Sequence, residues 1–424
     1  MPRTGISTTY FLIVYLLSLL ELKKILHSIF KFWIKATSKF FFDKIEVLGL
    51  ENLPKDCPVI FACNHPNAFL DSIVMTTCAK RPLYYTARGD FFKSKIANAL
   101  LRFINILPVY RREEGKELMH KNTETFSDCI EIFKKNGALV IFSEGISENK
   151  WELRPLRKGT ARLAYEAWNN PVIGDKLKVV PVAIHYSSWL KIHPVVYVEF
   201  LPNIEKKYFP DSEESGMFNK KFNELLKAIL TGRCIMIDES GDGVAQNKII
   251  GFVLKNYLNG AISAKKLQNK YATSEAPEFK LNYKSFADFL LKENINYDLK
   301  FTSSIMNIIN LIGWLIVFPV AWICNFIPYY LCKTIVRKAT KGNDFHDSLL
   351  YCVLLIIYPL YLIALFAVIC AYKDWIAGII VIFLATYSAY YSEAAKRYIL
   401  CFFKRKQLVI VKEKFKLLFE KDNG

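Results

Sequence analysis

The sequence predicts an α/β domain, a mixed sheet flanked by helices, followed by C-terminal transmembrane helices. Two observations lead to this fold class. Between residues 44 and 237, short runs rich in β-branched and aromatic residues alternate with amphipathic helical patterns, which is typical of a layered α/β domain. Beyond residue 301 lie three long stretches without charge, each long enough, or nearly so, to cross a bilayer.

Composition narrows the classes of partner. The 424 residues are 52% hydrophobic and carry a formal net charge of +18. Such a charge favours nucleic acid, anionic lipid surfaces, or phosphorylated small substrates. The apolar stretches favour membrane lipids and phosphorylated substrates, so we expect no nucleic-acid partner.

Cysteine and histidine spacing gives no sign of a metal site. The ten cysteines form no C-x-x-C pair, and the histidines lack metal-ligand spacing. We therefore expect no disulfide framework, no metal and no cofactor.

Residues 1–43 are predicted to be N-terminal membrane-interface helices. The apolar stretch Tyr10–Leu20 is too short to span easily and precedes no cleavage signal, so it predicts a retained helix that dips into the membrane. Leu22–Phe42 mixes lysines with apolar and aromatic residues at roughly helical spacing, which suits the surface of an anionic bilayer. The alternative is an ordinary amphipathic helix packed on the domain.

Residues 44–237 form the predicted α/β domain. Its strands are expected where β-rich runs occur, and its helices between them. The seven runs are Ile45–Leu48, Val59–Cys63, Leu83–Thr86, Leu107–Tyr110, Leu139–Phe142, Val179–Ile184 and Val195–Phe200.

Residues 238–300 predict a lysine-rich helical connector, and residues 301–424 a C-terminal membrane domain with a basic tail. The uncharged stretches are Ile305–Cys332, Ser348–Tyr372 and Trp375–Ser392. Basic clusters follow the first and third, and the positive-inside rule places both on the cytoplasmic side. The rule is satisfied if the last two stretches form a hairpin across the membrane and the first stretch is re-entrant. The alternative is that all three stretches span the membrane.

Chemistry is expected where the second strand ends, at Asn-His-Pro-Asn-Ala-Phe-Leu-Asp, residues 64–71. Reactive groups of α/β folds usually lie at strand carboxyl ends. A histidine accepts a proton near neutral pH, and a carboxylate against its other ring nitrogen fixes the tautomer and stabilises the imidazolium. His65 and Asp71 can divide those roles. Taken alone, this spacing is common by chance, and Asp71 could simply cap a helix.

Two further blocks follow in order. Leu107-Pro108-Val109-Tyr110 leads to two arginines, at 111 and 112, and the strand ending at Phe142 leads into Ser-Glu-Gly-Ile-Ser, residues 143–147. Together with the histidine block, these resemble the glycerophospholipid acyltransferase family, whose motifs read N-H-x4-D, a segment ending in arginine, and F-P-E-G-T-R. Val179–Val182 and Leu156–Ala161 are similar to later features of that family.

The resemblance implies a fold and an activity for residues 44–237: an acyltransferase catalytic domain that makes an O-acyl ester. His65 would be the general base oriented by Asp71, without a covalent acyl-enzyme. Arg111 would bind the acceptor phosphate, since a guanidinium matches phosphate oxygens bidentately. Glu144, Gly145 and Lys158 would complete the substrate-binding set.

Two departures from the family pattern matter. Five residues, not four, separate His65 from Asp71, which resembles a subgroup that includes glycerol-3-phosphate acyltransferases. Ser143 stands in place of the usual proline, and the arginine expected at Ser147 is missing. Its phosphate-binding role would fall to Arg111, Arg112, Arg154 or Lys158.

Several alternatives stay open. The acceptor can be glycerol-3-phosphate, toward which the spacing leans, 1-acylglycerol-3-phosphate, or another lysolipid or amino-lipid. The co-substrate can be acyl-CoA or acyl carrier protein. A non-catalytic membrane scaffold or lipid-binding protein on the same fold is the rival class. For an enzyme we expect an integral membrane location with the catalytic domain on the cytoplasmic face.

Overall fold

In a computed structural model, the chain is described from residue 25 to residue 419, with gaps at 112–116, 118–119, 190–192, 211–213, 238–242, 257–259, 275–276, 294, 296–303 and 341–344. The predicted Tyr10–Leu20 helix lies outside these residues.

A seven-stranded mixed sheet forms the centre of the α/β domain, as the sequence predicts. Its spatial order is β1-β7-β6-β2-β5-β3-β4. Neighbouring strands run parallel except β6 and β7, which are antiparallel. The strands are β1 Lys44–Leu48, β2 Val59–Cys63, β3 Tyr84–Arg88, β4 Ile106–Val109, β5 Ala138–Phe142, β6 Lys178–Tyr186 and β7 Val195–Phe200.

The central strand β2 shows why the sheet is covered on both faces. All five of its residues are buried, and alternate side chains point to opposite faces. Phe61 and Cys63 pack in one apolar cluster, and Ile60 and Ala62 pack in another. Continuous burial of this kind requires helices on both sides of the sheet.

The helices supply that cover. On the first face, α2 contributes Leu70, Ile73 and Met75. On the second, α4, α5 and α6 contribute the apolar residues. The helices are α1 (25–41), α2 Ala68–Cys78, α3 Lys95–Phe103, α4 Lys121–Lys134, α5 Gly159–Trp168, α6 Ser215–Arg233, α7 Gly243–Asn256, α8 Gly260–Thr273, α9 Pro277–Lys292, α10 Ser304–Thr340, α11 His346–Tyr372, α12 Trp375–Phe403 and α13 Arg405–Phe419.

Helix α1 combines features of both predicted alternatives. Its C-terminal half is buried in the first cluster through Ile34 and Phe41. Its N-terminal half leaves large apolar side chains exposed, including Ile25, Ile29 and Phe32. One end is therefore packed on the domain, while the other presents an apolar surface.

Two C-terminal helices, α10 and α11, are long and apolar enough to cross a membrane. Helix α10 contains both Pro319 and Pro328 and continues through them as helix. Helix α11 ends at Tyr372, and the Asp374 carboxylate then accepts a 2.8 Å hydrogen bond from the backbone N–H of Ala377 at the start of α12. Whether α10 spans or re-enters stays a prediction.

The connector predicted at 238–300 consists, where described, of α7, α8 and α9. These helices build a third apolar cluster with α13, in which Phe252, Phe286 and Phe415 meet edge to face or tilted. Tyr197 of β7 joins it and donates a 2.7 Å hydrogen bond to the Leu254 carbonyl. The connector and the C-terminal tail therefore pack on the β7 side of the sheet.

A buried histidine on β6 makes the fold sensitive to acid. Burial, with the charge of Lys265 as a lesser cause, lowers the pKa of His185 from 6.5 to about 4. Because the folded-state pKa lies below the unfolded value, this contribution to stability is complete above pH 6.5 and is lost as the pH falls toward 4. At pH 5 the loss is ~2 kcal/mol.

We therefore expect the melting temperature of the detergent-solubilised protein to fall less between pH 7 and pH 5 in His185→Gln than in wild type. Glutamine cannot take up the proton that destabilises the folded state. The matched substitution His120→Gln, at an exposed position, should leave the wild-type drop unchanged. Equal drops in wild type and His185→Gln would contradict the assignment.

Candidate active site

The chain is fixed immediately before His65. The Asn64 side chain donates to the Ile184 carbonyl at 3.0 Å and accepts from the Ile184 N–H at 2.7 Å. The Asn64 N–H also donates to the Val182 carbonyl at 3.3 Å. The turn after β2 is therefore held against its neighbour β6.

His65 and Asp71 meet as the sequence predicts. His65 Nδ1 lies 2.8 Å from Asp71 Oδ2, and the Asp71 side chain is fully buried in the first turn of α2. An Nδ1–H that donates to the carboxylate leaves Nε2 with a free lone pair. The imidazole also stacks on Phe142, at 4.1 Å between ring centroids and 13° between planes. The ring is oriented for proton transfer through Nε2.

Tyr186, the last residue of β6, is a member of this network that sequence reasoning missed. Its hydroxyl donates to Asp71 Oδ1 at 2.8 Å. Burial, followed by the Asp71 charge, raises the pKa of Tyr186 well above its usual value, so the phenol stays a neutral donor. The Asn67 N–H donates to Asp71 Oδ2 at 2.9 Å. The only sequence signal for Tyr186 is its place at a strand end, and the adjacency of β6 to β2 becomes visible only in the folded sheet.

Glu144 is buried and holds the backbone of the histidine. Glu144 Oε1 accepts from the His65 N–H at 2.6 Å, while Oε2 accepts from the Arg154 N–H at 2.9 Å and lies 2.8 Å from Arg154 Nε. Arg154 Nη2 donates to the His65 carbonyl at 2.9 Å. Burial raises the pKa of Glu144, and the charge of Arg154 opposes the rise. Arg154 is thereby engaged in a clamp with Glu144 and with the backbone of His65, and its role in phosphate binding stays a prediction.

Arg111 reaches the same region from β4. Its guanidinium donates to the Gly145 carbonyl, which follows β5. Gly145 has a φ of 72°, and a Cβ placed there would lie 2.9 Å from Arg157 Cγ. Glycine is therefore required for backbone reasons; its predicted role in admitting substrate stays a prediction. Arg112 lies outside the described residues.

Ser147, which stands where the family has arginine, has a structural task. Its hydroxyl accepts a 2.5 Å hydrogen bond from the Ala68 N–H. Ala68 begins α2 with a φ of 39°, a conformation that non-glycine residues rarely adopt. Ser147 therefore helps to hold the strained turn between His65 and Asp71.

Lys158 is not brought together with the histidine. It precedes α5 and lines a cavity of about 480 Å³ against α6, with Lys220 and Lys227 among the other lining residues. The other predicted site residues do not line this cavity. A role for Lys158 in substrate binding stays a prediction.

The geometry defines a class of protein: an α/β domain with a hydrogen-bonded histidine–aspartate pair at the carboxyl ends of its strands. Residues 44–185 match the family model described as Acyltransferase. The match supports the glycerophospholipid acyltransferase family for this segment, as its motifs predict.

Named relatives agree with this family. The chain is 27% identical over 143 residues to the chloroplastic 1-acyl-sn-glycerol-3-phosphate acyltransferase BAT2 of Brassica napus, and 28% identical over 143 residues to LPAT1 of Arabidopsis thaliana. Each match covers 34% of this chain and under two fifths of the relative, 39% and 38%. A 1-acyl-sn-glycerol-3-phosphate acyltransferase of Borreliella burgdorferi is 22% identical over 179 residues, 39% of this chain and 66% of the relative.

Among solved structures, the 1-acyl-sn-glycerophosphate acyltransferase PlsC from Thermotoga maritima resembles the chain with a TM-score of 0.36 and 19% identity, covering 50% of this chain and 81% of that one.

The buried Glu144–Arg154 pair predicts a large stability effect. Arg154→Gln leaves Glu144 buried without its cation, which typically costs ~3–5 kcal/mol of unfolding free energy. The melting temperature in detergent should fall by several degrees or more. The matched control Arg102→Gln breaks an exposed pair with Asp128, 3.1 Å apart, and should cost less than ~1 kcal/mol. Equal effects in the two variants would refute the clamp.

Proposed function

We propose that the protein is a membrane-bound O-acyltransferase that moves a fatty acyl group from a thioester donor to the hydroxyl of a phosphorylated glycerol. The observation that carries this proposal is the 2.8 Å contact of His65 with the buried Asp71, inside a segment of the acyltransferase family. The donor is acyl-CoA or acyl carrier protein, a co-substrate rather than a resident cofactor.

Proton transfer through His65 accounts for the chemistry. The acceptor hydroxyl gives its proton to His65 Nε2 while its oxygen attacks the thioester carbonyl, and Asp71 stabilises the imidazolium. The tetrahedral intermediate then expels the thiolate, and His65 gives that proton to the leaving sulfur. The products are an ester and a free thiol, and the histidine returns to its starting form. No acyl group is attached to the protein, so donor and acceptor bind together.

Arg111 is the candidate for the acceptor phosphate. Its guanidinium contacts the Gly145 carbonyl in the loop after β5, and β5 is the neighbour of β2, the strand that leads to His65. A guanidinium keeps its charge and presents paired N–H donors to phosphate oxygens.

Among the acceptors, we favour 1-acyl-sn-glycerol-3-phosphate. The names of the relatives support this acceptor, whereas the five-residue spacing between His65 and Asp71 leans toward glycerol-3-phosphate. An acylated acceptor also suits a protein with two helices apolar enough to cross a bilayer. Exposed Phe91, Ile96 and Leu100 offer an apolar surface on the same domain.

Loop charge supports a cytoplasmic catalytic domain. Basic residues in the C-terminal end of α10, and from the end of α12 through α13, outnumber the acidic ones there, including Lys333, Lys338 and Lys404. The exposed apolar residues at the start of α1 support contact with the lipid surface.

The decisive experiment assays acyl transfer in nanodiscs with a panel of acceptors. Wild type should acylate 1-acylglycerol-3-phosphate faster than glycerol-3-phosphate or other lysolipids, with acyl-CoA and acyl carrier protein tested as donors. His65→Ala should reduce kcat by at least ~10²-fold because the general base is lost. The control His120→Ala changes an exposed histidine and should retain wild-type activity.

One result would overturn the proposed function, and a second would overturn only the catalytic assignment. If wild type acylates none of the acceptors while the protein is folded, the chain is a scaffold or lipid-binding protein on the same fold. If His65→Ala is as active as wild type, the catalytic assignment is wrong even though the reaction class stands.

Arg111→Ala should selectively weaken recognition of the phosphate. The kcat/KM ratio between 1-acylglycerol-3-phosphate and monoacylglycerol, which lacks the phosphate, should fall by ~10-fold or more, since charge-assisted contacts are worth ~1.5–3 kcal/mol. The control Arg102→Ala lies in an exposed surface pair and should leave that ratio unchanged. An unchanged ratio in Arg111→Ala would place the phosphate elsewhere.

A further inference from the structure

A membrane-helix serine touches the reactive loop. Ser348 is the third residue of α11, and its side chain is buried. Its hydroxyl accepts from the Leu70 N–H at 3.2 Å and donates to the Asn67 carbonyl at 3.2 Å. These two backbone groups lie between His65 and Asp71 in the chain. The contact therefore joins α11 to the segment whose conformation sets the His65–Asp71 geometry.

The start of α2 depends on such outside partners. The first N–H groups of a helix have no partner within the helix, and a cap residue normally supplies one. Asn67, at the cap position, makes no side-chain cap hydrogen bond. The Ala68 N–H instead donates to the Ser147 hydroxyl. The Leu70 N–H donates to the Asn67 carbonyl and to the Ser348 hydroxyl, and that hydroxyl in turn donates to the Asn67 carbonyl. Residues distant in sequence thus cap the helix that carries Asp71.

The first turns of α11 are themselves fixed in place. Tyr351 is fully buried, and its hydroxyl lies 2.9 Å from Ser38 Oγ and 2.9 Å from the Ile34 carbonyl of α1. One turn further, the Trp33 indole donates to the Leu355 carbonyl at 3.0 Å. Contacts on two successive turns define both the rotation and the depth of α11 against α1. Ser348 is therefore held at the loop by a rigid support.

We propose that Ser348 is a positioning residue of the acyl-transfer reaction, and that the first turn of the apolar helix α11 completes the catalytic site. This inference rests on the proposed function. Ser348 touches no reacting atom; it holds the Asn67–Leu70 backbone and, through it, the Asp71 carboxylate at hydrogen-bond distance from His65. Because Ala68 occupies a rarely adopted conformation, the turn relaxes when an outside contact is removed. The geometry of the base thus depends on how a membrane helix docks.

The test compares Ser348→Ala with two matched variants in nanodiscs. Ser348→Thr keeps the hydroxyl. Ser388→Ala removes another buried serine of the C-terminal region, whose hydroxyl bonds to the Ala385 carbonyl of its own helix at 3.1 Å. For each variant we would measure kcat, KM for the acceptor, the melting temperature, and hydrogen exchange of the peptide covering residues 64–71.

Ser348→Ala should lower kcat by ~10–10²-fold with KM within about twofold, because misplacement of a catalytic group by about an ångström has that effect. Exchange in 64–71 should accelerate. Ser348→Thr should recover most of kcat, and Ser388→Ala should match wild type in both readouts.

Wild-type kcat in Ser348→Ala, with or without faster exchange, would overturn the positioning role, as would equal losses in Ser348→Ala and Ser388→Ala. Failure of the proposed function is distinguishable, because wild type itself would then be inactive. The exchange data would then still test the contact itself. Unchanged exchange in Ser348→Ala would show that Ser348 does not hold the loop, whereas faster exchange would show that it holds the loop without a role in acyl transfer.

Discussion

The buried charge of Asp71 is the constraint on which the rest of the site depends. A carboxylate taken out of water costs several kcal/mol unless it is paired and hydrogen-bonded. Asp71 meets this demand with three donors: Tyr186 Oη, the Asn67 N–H and His65 Nδ1. Each comes from a different part of the site, so β2, β6 and the start of α2 must all be in register before the charge is satisfied.

The order of the strands explains how that register arises. β2 lies between β5 and β6, so the three segments that follow or end these strands converge at one edge of the sheet. The segment after β5 supplies Glu144, which binds the N–H of His65, and the end of β6 supplies Tyr186. Arg154 completes the arrangement by binding the carbonyl of His65. The histidine is thus restrained through its ring and through both of its backbone polar groups.

Local patterns predicted the sheet and the reactive pair well. All seven strands lie within two residues of their predicted bounds because each is a short apolar run flanked by polar turns. The His65–Asp71 contact was predictable because both residues lie in one short block. The contacts of three other residues were not predicted, because each joins residues far apart in the chain. Tyr186 lies 115 residues from Asp71, Arg154 lies 89 from His65, and Ser348 lies 278 from Leu70. Such contacts are fixed by strand order and helix docking, which periodicity does not encode. Lys158 shows the converse: it lies in a family-like stretch, yet it lines a cavity that His65, Asp71, Arg111 and Glu144 do not line.

The contact between Ser348 and the loop also bears on where the proposed chemistry takes place. Helix α11 begins at that loop and is apolar enough to cross a bilayer. For a membrane-bound acyltransferase as proposed, His65 would lie near the point where α11 enters the lipid, and an acceptor anchored by a fatty chain would reach it by lateral diffusion. Under the proposed function, the quantity that sets the rate would be the mole fraction of acceptor in the membrane rather than its concentration in water. Dilution of the acceptor with inert lipid would slow the reaction even when the total amount in the tube stays the same.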